Sequence, residues 1–239
     1  MLGLADSNRR LRLYEEGISQ VKEALGIFER LGDTEEQAWS LIKLAGLLSS
    51  RKQFDAAEEA GFRAIGLVPE NDKQYLVCAS HQVLGEIYES KGEIEKAVHH
   101  YEMVLEIASP FNWHDDLFRA YCSLGTLFLN EDRFEDAIAH IERAKPHAID
   151  DTFTLGSVTR LQAWAWFMLH RLEEARSEAL AAANIFEELG AVDDLESCRS
   201  LLQDIEGERS DWLALYLDGE LLETALLRTP INSPWPLGY

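Results

Sequence analysis

The sequence predicts an all-α fold, an α-α superhelix of stacked antiparallel helix pairs, and three observations support this prediction. First, the 239 residues are 46% hydrophobic and 27% charged, with only 6 prolines and 15 glycines, a composition that favours helix over a loop-rich β fold. Second, small and large apolar residues recur at nearly constant intervals along the chain. Third, single glycines stand where paired helices need turns or close contact.

The recurring pattern is a ladder in which Gly85 is followed by Tyr88, Ala97, Tyr101 and Val104. The equivalent ladders are Ala45-Leu48-Ala57-Gly61-Ala64, Gly125-Phe128-Ala137-Ile141-Ala144 and Ala163-Trp166-Ala175-Ala179-Ala182, with a partial copy at Gly17, Val21 and Ala24. Ala57, Ala97 and Ala137 lie 40 residues apart, and Ala175 follows 38 residues later. Five copies at such spacing indicate a tandem repeat.

Each copy predicts two helices. Leu84, Gly85 and Tyr88 share one helical face, and Gly92 marks a turn before the second helix. A glycine inside a helix costs roughly 1 kcal/mol relative to alanine, so Gly85 is expected where the two helix backbones approach closely. A single pair cannot bury both of its faces, and stability requires neighbouring pairs stacked upon it.

This ladder resembles the tetratricopeptide repeat (TPR), and the resemblance covers about residues 14–190, with Pro69 where the family often ends a unit. The period of 40 exceeds the usual ~34 residues. Because the interval from Gly85 to Ala97 is the usual one, the extra length is expected after the second helix. HEAT-type repeats share the longer period but lack the ladder and rank second. The long units are similar to the C-terminal arrays of fungal STAND-type signalling ATPases, whose nucleotide-binding domain this chain lacks.

The array is predicted to span 1–206 and to open with a partial unit, 1–33, whose first helix is truncated. Either a degenerate cap begins the array, or the chain is cut from a longer one. Gly32 is expected to end this unit, and Thr34-x-x-Gln37 resembles a capping box that opens the next. The complete units are predicted at about 34–73, 74–113, 114–152 and 153–192.

Two later signals mark the end of the array. Pro146 is expected to shorten or kink the second helix of its unit, and Gly190 to end the last complete unit. An extra helix is predicted at 193–206. Residues 207–239 are expected to form a C-terminal helix and a proline-containing tail, the helix being either an inward-packed cap or an apolar segment that awaits a partner.

Charge and composition exclude several classes of function. The formal net charge of −21 opposes passive binding to nucleic acid or to an anionic membrane. No apolar run approaches the ~20 residues that span a bilayer. Three widely spaced cysteines predict reduced thiols and a cytoplasmic protein.

No catalytic motif, cofactor fingerprint or metal motif is present, so no enzyme activity, cofactor or metal is expected. His114, Asp115 and Asp116 are interpreted as residues that begin a helix rather than as metal ligands. His100 and His140, which occupy equivalent positions, are expected to be solvated on the outer face.

The resemblance implies that the first helices line a concave groove, so binding residues are expected on their faces opposite the packing ladder. The predicted groove residues are Trp39, Ile42, Lys43, Gln82, Glu86, Glu89, Arg119, Cys122, Thr126, Arg160, Trp164 and Phe167. Trp164 is two residues from the packing residue Trp166 and points elsewhere. An alternative is that Trp164 and Phe167 pack on an adjoining helix.

These residues predict a scaffold that binds a protein or peptide. The lysine clamp that TPR domains use for chaperone tails is absent, because Gln82 and Glu86 occupy the matching positions. A partner with a basic part near Glu86 and Glu89 and an apolar part near Trp164 and Phe167 fits better. Alternatives are a peptide-sensing allosteric regulator and a sensor fragment of a larger signalling ATPase. Self-association is compatible with either, and an enzyme ranks below all of them.

Overall fold

A computed structural model describes residues 2–69, 72–149 and 152–217 of the chain, and the side chains within 13–208. The described residues form ten α-helices and no strand, which confirms the predicted all-α class. The helices are α1 Leu2–Leu31, α2 Thr34–Ser50, α3 Phe54–Gly66, α4 Gln74–Lys91, α5 Ile94–Ala108, α6 His114–Asn130, α7 Phe134–Ala144, α8 Thr152–Met168, α9 Leu172–Leu189 and α10 Val192–Leu217.

The chain forms two compact units, the first of residues up to 127 together with 142–149, the second of 128–141 with the described residues from 152 onward. In the first unit α2 packs against α1, α3 and α4, and α4 also packs against α3 and α5. In the second unit α9 packs against both α8 and α10. Turns of two or three residues join α2 to α3, α4 to α5 and α8 to α9, as expected for antiparallel helix pairs.

The ladder residues form the contacts between helices. Ala45, Ala57, Ala97, Ala163 and Ala175 are fully buried. An ideal Cβ on Gly85 would lie 2.4 Å from Cε1 of Tyr101, so only glycine allows α5 to approach α4 this closely. The sequence-based explanation of Gly85 is therefore confirmed.

The hairpin turns use a left-handed residue at the same place in each repeat. Lys52, Gly92, Asp132 and His170 have φ of 57°, 74°, 55° and 56°. The next residue then donates its N–H to a carbonyl five positions earlier, as from Gln53 to Leu48 and from Glu93 to Tyr88, both 2.9 Å. This bond pattern closes a helix C-terminus. Only Gly92 could be recognised from sequence.

Two glycines that were expected to end helices lie immediately after them. Gly32 and Gly190 adopt φ of 72° and 67° just beyond α1 and α9. A 3-10 turn at Lys145–His147, which contains Pro146, follows α7, the shortest helix described at 11 residues. The extra length of the repeat lies mainly in the linkers that follow α3, α5 and α7, whereas α9 is itself long at 18 residues.

Four expectations were wrong. The first 31 residues contain one helix rather than a truncated pair, because nothing between Leu2 and Leu31 breaks the helical run. The capping box begins one residue early: Asp33 is the N-cap and accepts the N–H of Glu36, and Gln37 instead donates to the Phe28 carbonyl. The helix expected to end at 206 continues to Leu217. His100 is buried, not solvated.

The predicted C-terminal helix is described only as far as Leu217, within α10. The remainder of the predicted segment, 218–239, and its proline-containing tail lie outside the described residues.

Candidate functional site

The predicted groove residues on α2 lie at the edge of the first core. Trp39 and Ile42 are half-buried and pack against the core, whereas Lys43 is exposed. The ring centroid of Trp39 lies 6.3 Å from that of Tyr75, which is in the first turn of α4. These two aromatic side chains therefore present a partly covered apolar surface beside an exposed cation.

The predicted residues on α4 form a polar group with neighbours from α5 and α6. Glu86 is exposed, Glu89 is half-buried and Gln82 is buried. The Gln82 side-chain amide donates from Nε2 to Glu86 Oε1 at 3.1 Å and to Ser123 Oγ at 3.2 Å. The sequence placed Gln82 in the groove lining, but only 3% of its surface is exposed.

Glu89 is anchored from below by the second helix of its pair. The Tyr101 hydroxyl, on a fully buried side chain, donates to Glu89 Oε2 at 2.7 Å. Burial raises the pKa of Glu89, the Tyr101 hydrogen bond opposes that change, and the nearby Glu86 adds to it. Burial and the neighbouring Glu89 likewise raise the pKa of Tyr101. Sequence reasoning missed this hydroxyl, although a buried tyrosine needs an acceptor.

On α6 the three predicted residues differ in accessibility. Arg119 is exposed and Thr126 is half-buried, but Cys122 is buried and presents little surface to a partner. Cys122 and Gln82 were predicted to line the groove because helical phase alone cannot show which residues a neighbouring helix covers.

The second unit contains the remaining predicted residues, all on α8. Trp164 and Phe167 are half-buried against the core formed with α9 and α10. The Trp164 ring makes an edge contact with Phe134, with centroids 5.6 Å apart. Arg160 is half-buried, and its Nε has no hydrogen-bond partner among the described residues. Trp164 thus combines partial packing with partial exposure.

Two histidine pairs in the first unit were not predicted. His81 and His100 approach through their Nδ1 atoms at 2.8 Å, and His114 and His147 do so at 2.9 Å. His100 also stacks on Tyr88 with centroids 5.2 Å apart. Burial, followed by the neighbouring histidines, lowers the pKa of His100 to about 4, and burial also lowers the pKa of His81 and His147.

Within the described residues, no three histidine, cysteine, aspartate or glutamate side chains come together as a metal site. The three cysteines are buried thiols. Burial raises the pKa of Cys78 to about 12 and that of Cys198 to about 11, so neither is a thiolate at neutral pH. None of the described helices combines the length and the apolar character needed to cross a membrane.

Comparison with known proteins agrees with the repeat. A family model described as "Tetratricopeptide repeat" matches residues 75–148. Over 139 residues the chain is 26% identical to "Protein KINESIN LIGHT CHAIN-RELATED 2" of Arabidopsis thaliana, an alignment that includes 56% of this chain. The aligned part of this chain spans only 20% of the length of that relative.

Solved structures share the fold at low sequence identity. BtubC (BKLC) from P. vanneervenii is 18% identical with a TM-score of 0.69, covering 95% of this chain and 98% of that one. A STAND protein with a tetratricopeptide repeat sensor from Pyrococcus horikoshii is 17% identical with a TM-score of 0.68, covering 84% of this chain and 31% of that one. A Rap protein complexed with Competence and Sporulation Factor is 16% identical with a TM-score of 0.58, covering 83% and 60%.

The family match spans α4, α5, α6 and α7, a range that includes the ladder at Gly85, and equivalent ladder residues are buried in both units. The resemblance to TPR arrays, including those of STAND proteins, is thereby confirmed at the level of the fold. Residues 75–148 match the tetratricopeptide repeat family.

Proposed function

We propose that this chain is a non-catalytic scaffold that binds a partner protein or peptide on the faces of its first helices. The main support for this proposal is the pair Glu86 and Glu89 on α4, whose carboxylates have no cationic partner among the described residues. Several other acidic residues of this unit form local ion pairs, such as Glu35 with Lys73 at 2.8 Å. Carboxylates without a cationic partner on the face of a first helix do not stabilise the hydrophobic core, and they can attract a positively charged ligand.

The proposed partner has a basic part for the α4 face of the first unit. It also has an apolar part for the α8 face of the second unit, where Trp164 and Phe167 remain half-exposed. Aromatic side chains that are partly packed and partly exposed supply contact area at low entropic cost, and they are enriched at interfaces. The similar fold of the Rap protein, solved as a complex with a factor, supports ligand binding by this class of array.

A peptide-display selection against the immobilised chain tests this function. We expect enriched peptides that contain basic and apolar residues. Glu86→Lys should weaken their binding by about tenfold or more through charge repulsion, and Trp164→Ala through lost contact area. Circular dichroism checks that both variants keep their helix content.

Glu102→Lys and Phe62→Ala are the matched controls, because both residues are exposed on second helices of the first unit. They should leave binding within about twofold of the unchanged chain. A selection that enriches no peptide would refute a peptide-binding role, and binding that ignores both groove substitutions would refute these faces as the site.

The second candidate is a peptide-sensing regulator, or the sensor part of a larger signalling ATPase. The similar fold of the STAND sensor favours it, since that sensor is part of a longer chain. Small-angle X-ray scattering with and without a selected peptide separates the two functions. A peptide-dependent change in the scattering profile supports the sensor, whereas an unchanged profile with bound peptide supports the static scaffold.

A further inference from the structure

We propose that Glu86, Glu89 and the Gln82 amide form a subsite for a guanidinium group, the side chain of an arginine in the partner. This inference rests on the proposed function and makes the chemistry of its basic part specific. The subsite lies entirely within the first unit, on one face of α4, with Tyr101 and Ser123 beneath it.

The charge of the subsite is not balanced by the chain itself. Neither Glu86 nor Glu89 is within ion-pair distance of a lysine or arginine among the residues that the structure describes. By contrast, Glu58 of the same unit is paired with Lys91, and Glu93 contacts Lys91 at 2.9 Å. Residues three apart on a helix have Cβ atoms about 5–6 Å apart, so one bound cation can contact both carboxylates.

Gln82 supplies an observation independent of charge. Gln82 is 3% exposed, and its side-chain amide lies beside Glu86, because Nε2 donates a hydrogen bond to Glu86 Oε1. The carbonyl oxygen Oε1 of the same amide is buried and has no hydrogen-bond partner among the described residues. A buried acceptor without a donor is unfavourable, and a ligand that brings several N–H donors to Glu86 can relieve it.

The geometry favours a guanidinium over an ammonium group. A guanidinium presents five donors in a planar fork that matches carboxylates, whereas an ammonium is a compact and strongly hydrated point charge. Glu89 is half-buried and held by Tyr101, so a ligand must lose water to reach it. The more weakly hydrated cation loses less hydration free energy on entering, and its planar fork can contact both carboxylates.

Nuclear magnetic resonance of the 15N-labelled chain tests this subsite with amino-acid probes. The probes are N-acetylarginine amide, N-acetyllysine amide and N-acetylcitrulline amide, the last being a neutral analogue of arginine. The readout is the side-chain NH2 resonance of Gln82, which lies inside the subsite. We expect a saturable shift with the arginine probe, a weaker one with lysine and none with citrulline.

Three variants separate the subsite from general attraction to an acidic protein. Glu86→Gln and Glu89→Gln should each weaken the arginine probe by about fivefold or more, because each loses a charge-assisted hydrogen bond. Glu102→Gln carries the same charge change on an exposed residue of α5 and should alter affinity by less than about twofold. If Glu89→Gln loses helix content, the affinity of Glu86→Gln for the arginine probe is the test of the subsite.

Equal responses to arginine and lysine, no shift at Gln82, or an equal loss in Glu102→Gln would each overturn the subsite. These probes require no natural partner. If the arginine probe fails to bind but the selection enriches peptides, the subsite is refuted and the scaffold function is retained. If the arginine probe binds but the selection enriches no peptide, the subsite is retained and the peptide-binding function is refuted.

Discussion

At the scale of single residues, contact between α4 and α5 depends on the absence of a side chain at Gly85. The Tyr101 ring occupies the space that a Cβ would need, and it is fully buried. The position of this ring carries the Tyr101 hydroxyl to Glu89. One small residue therefore sets both the packing of the helix pair and the position of a carboxylate on the proposed binding face.

Replacing Gly85 with alanine should lower the free energy of unfolding by up to about 2 kcal/mol. Overpacking against a fixed ring costs about 1–3 kcal/mol, and the better helix propensity of alanine recovers about 1 kcal/mol. Chemical denaturation followed by circular dichroism measures the change.

Gly26→Ala is the matched control, because Gly26 is also inside a helix and an ideal Cβ there would meet no atom of another helix within 4 Å. It should raise stability by up to about 1 kcal/mol. A stabilising Gly85→Ala would show that the Tyr101 ring moves aside and that close approach does not explain this glycine.

At the scale of elements, each helix pair is closed by the same left-handed turn, although only one copy has glycine there. Lys52 adopts φ of 57° where Gly92 adopts 74°. A residue with a Cβ pays roughly 1–2 kcal/mol in this conformation. The turn is retained because the hydrogen bonds that follow it close the helix C-terminus.

Lys52→Gly should therefore raise the free energy of unfolding by about 0.5–1 kcal/mol, since glycine removes the strain but gains entropy in the unfolded chain. The reciprocal change, Gly92→Ala, should lower it by about 1 kcal/mol. Thermal and denaturant melts of both variants provide the test. Loss of stability in Lys52→Gly would mean that the turn residue contributes through its side chain.

The His81–His100 contact joins α4 to α5 and should make the first unit sensitive to acid. The pKa of both residues is lowered in the folded chain, that of His100 to about 4. The unfolded chain therefore binds more protons below about pH 6.5, and stability should fall by about 1–3 kcal/mol as the pH drops from there towards 4. The raised pKa of Glu89 and Asp116 has the opposite effect and offsets part of this loss.

The pH dependence can be assigned with His100→Gln, which removes the titrating ring. Urea midpoints measured at several pH values should fall less on acidification in this variant than in the unchanged chain. His99→Gln, at an exposed position beside it on α5, should retain most of the pH dependence, because burial lowers the pKa of His100 more than the neighbouring His99 does. Identical acid sensitivity in all three proteins would exclude the histidine pair as its source.

At the scale of the whole molecule, the net charge of −21 acts on every part of the chain. Like charges on a compact surface repel, and salt screens this repulsion over a Debye length of about 10 Å at 0.1 M. Local ion pairs such as Arg51 with Glu15 are also weakened by salt, but exposed pairs contribute little.

Raising NaCl from about 20 mM to about 500 mM should therefore increase the melting temperature. Sodium chloride is preferred to sulfate, which stabilises proteins by exclusion from their surface. A melting temperature that falls with NaCl would show that the ion pairs outweigh the net charge.

Much of this fold could be predicted from the sequence, because the ladder reports contacts within a pair of helices that are close in the chain. The same reasoning placed Glu86 and Glu89 on an accessible face of α4, and the structure leaves them without cations among the residues it describes. The sequence did not predict that residues 2–31 form a single helix. The copy of the ladder in this segment is too weak to show whether a turn is present or absent.

The class of fold and the small residues at which paired helices touch could be read from the amino-acid sequence, because both depend on local periodicity and side-chain size. Which polar residues remain accessible depends on the packing of the helices. Gln82, Cys122 and His100 are buried, and Tyr101 reaches Glu89 from another helix. Accessibility and hydrogen bonding depend on neighbours that are distant in the chain, and helical phase contains no information about them.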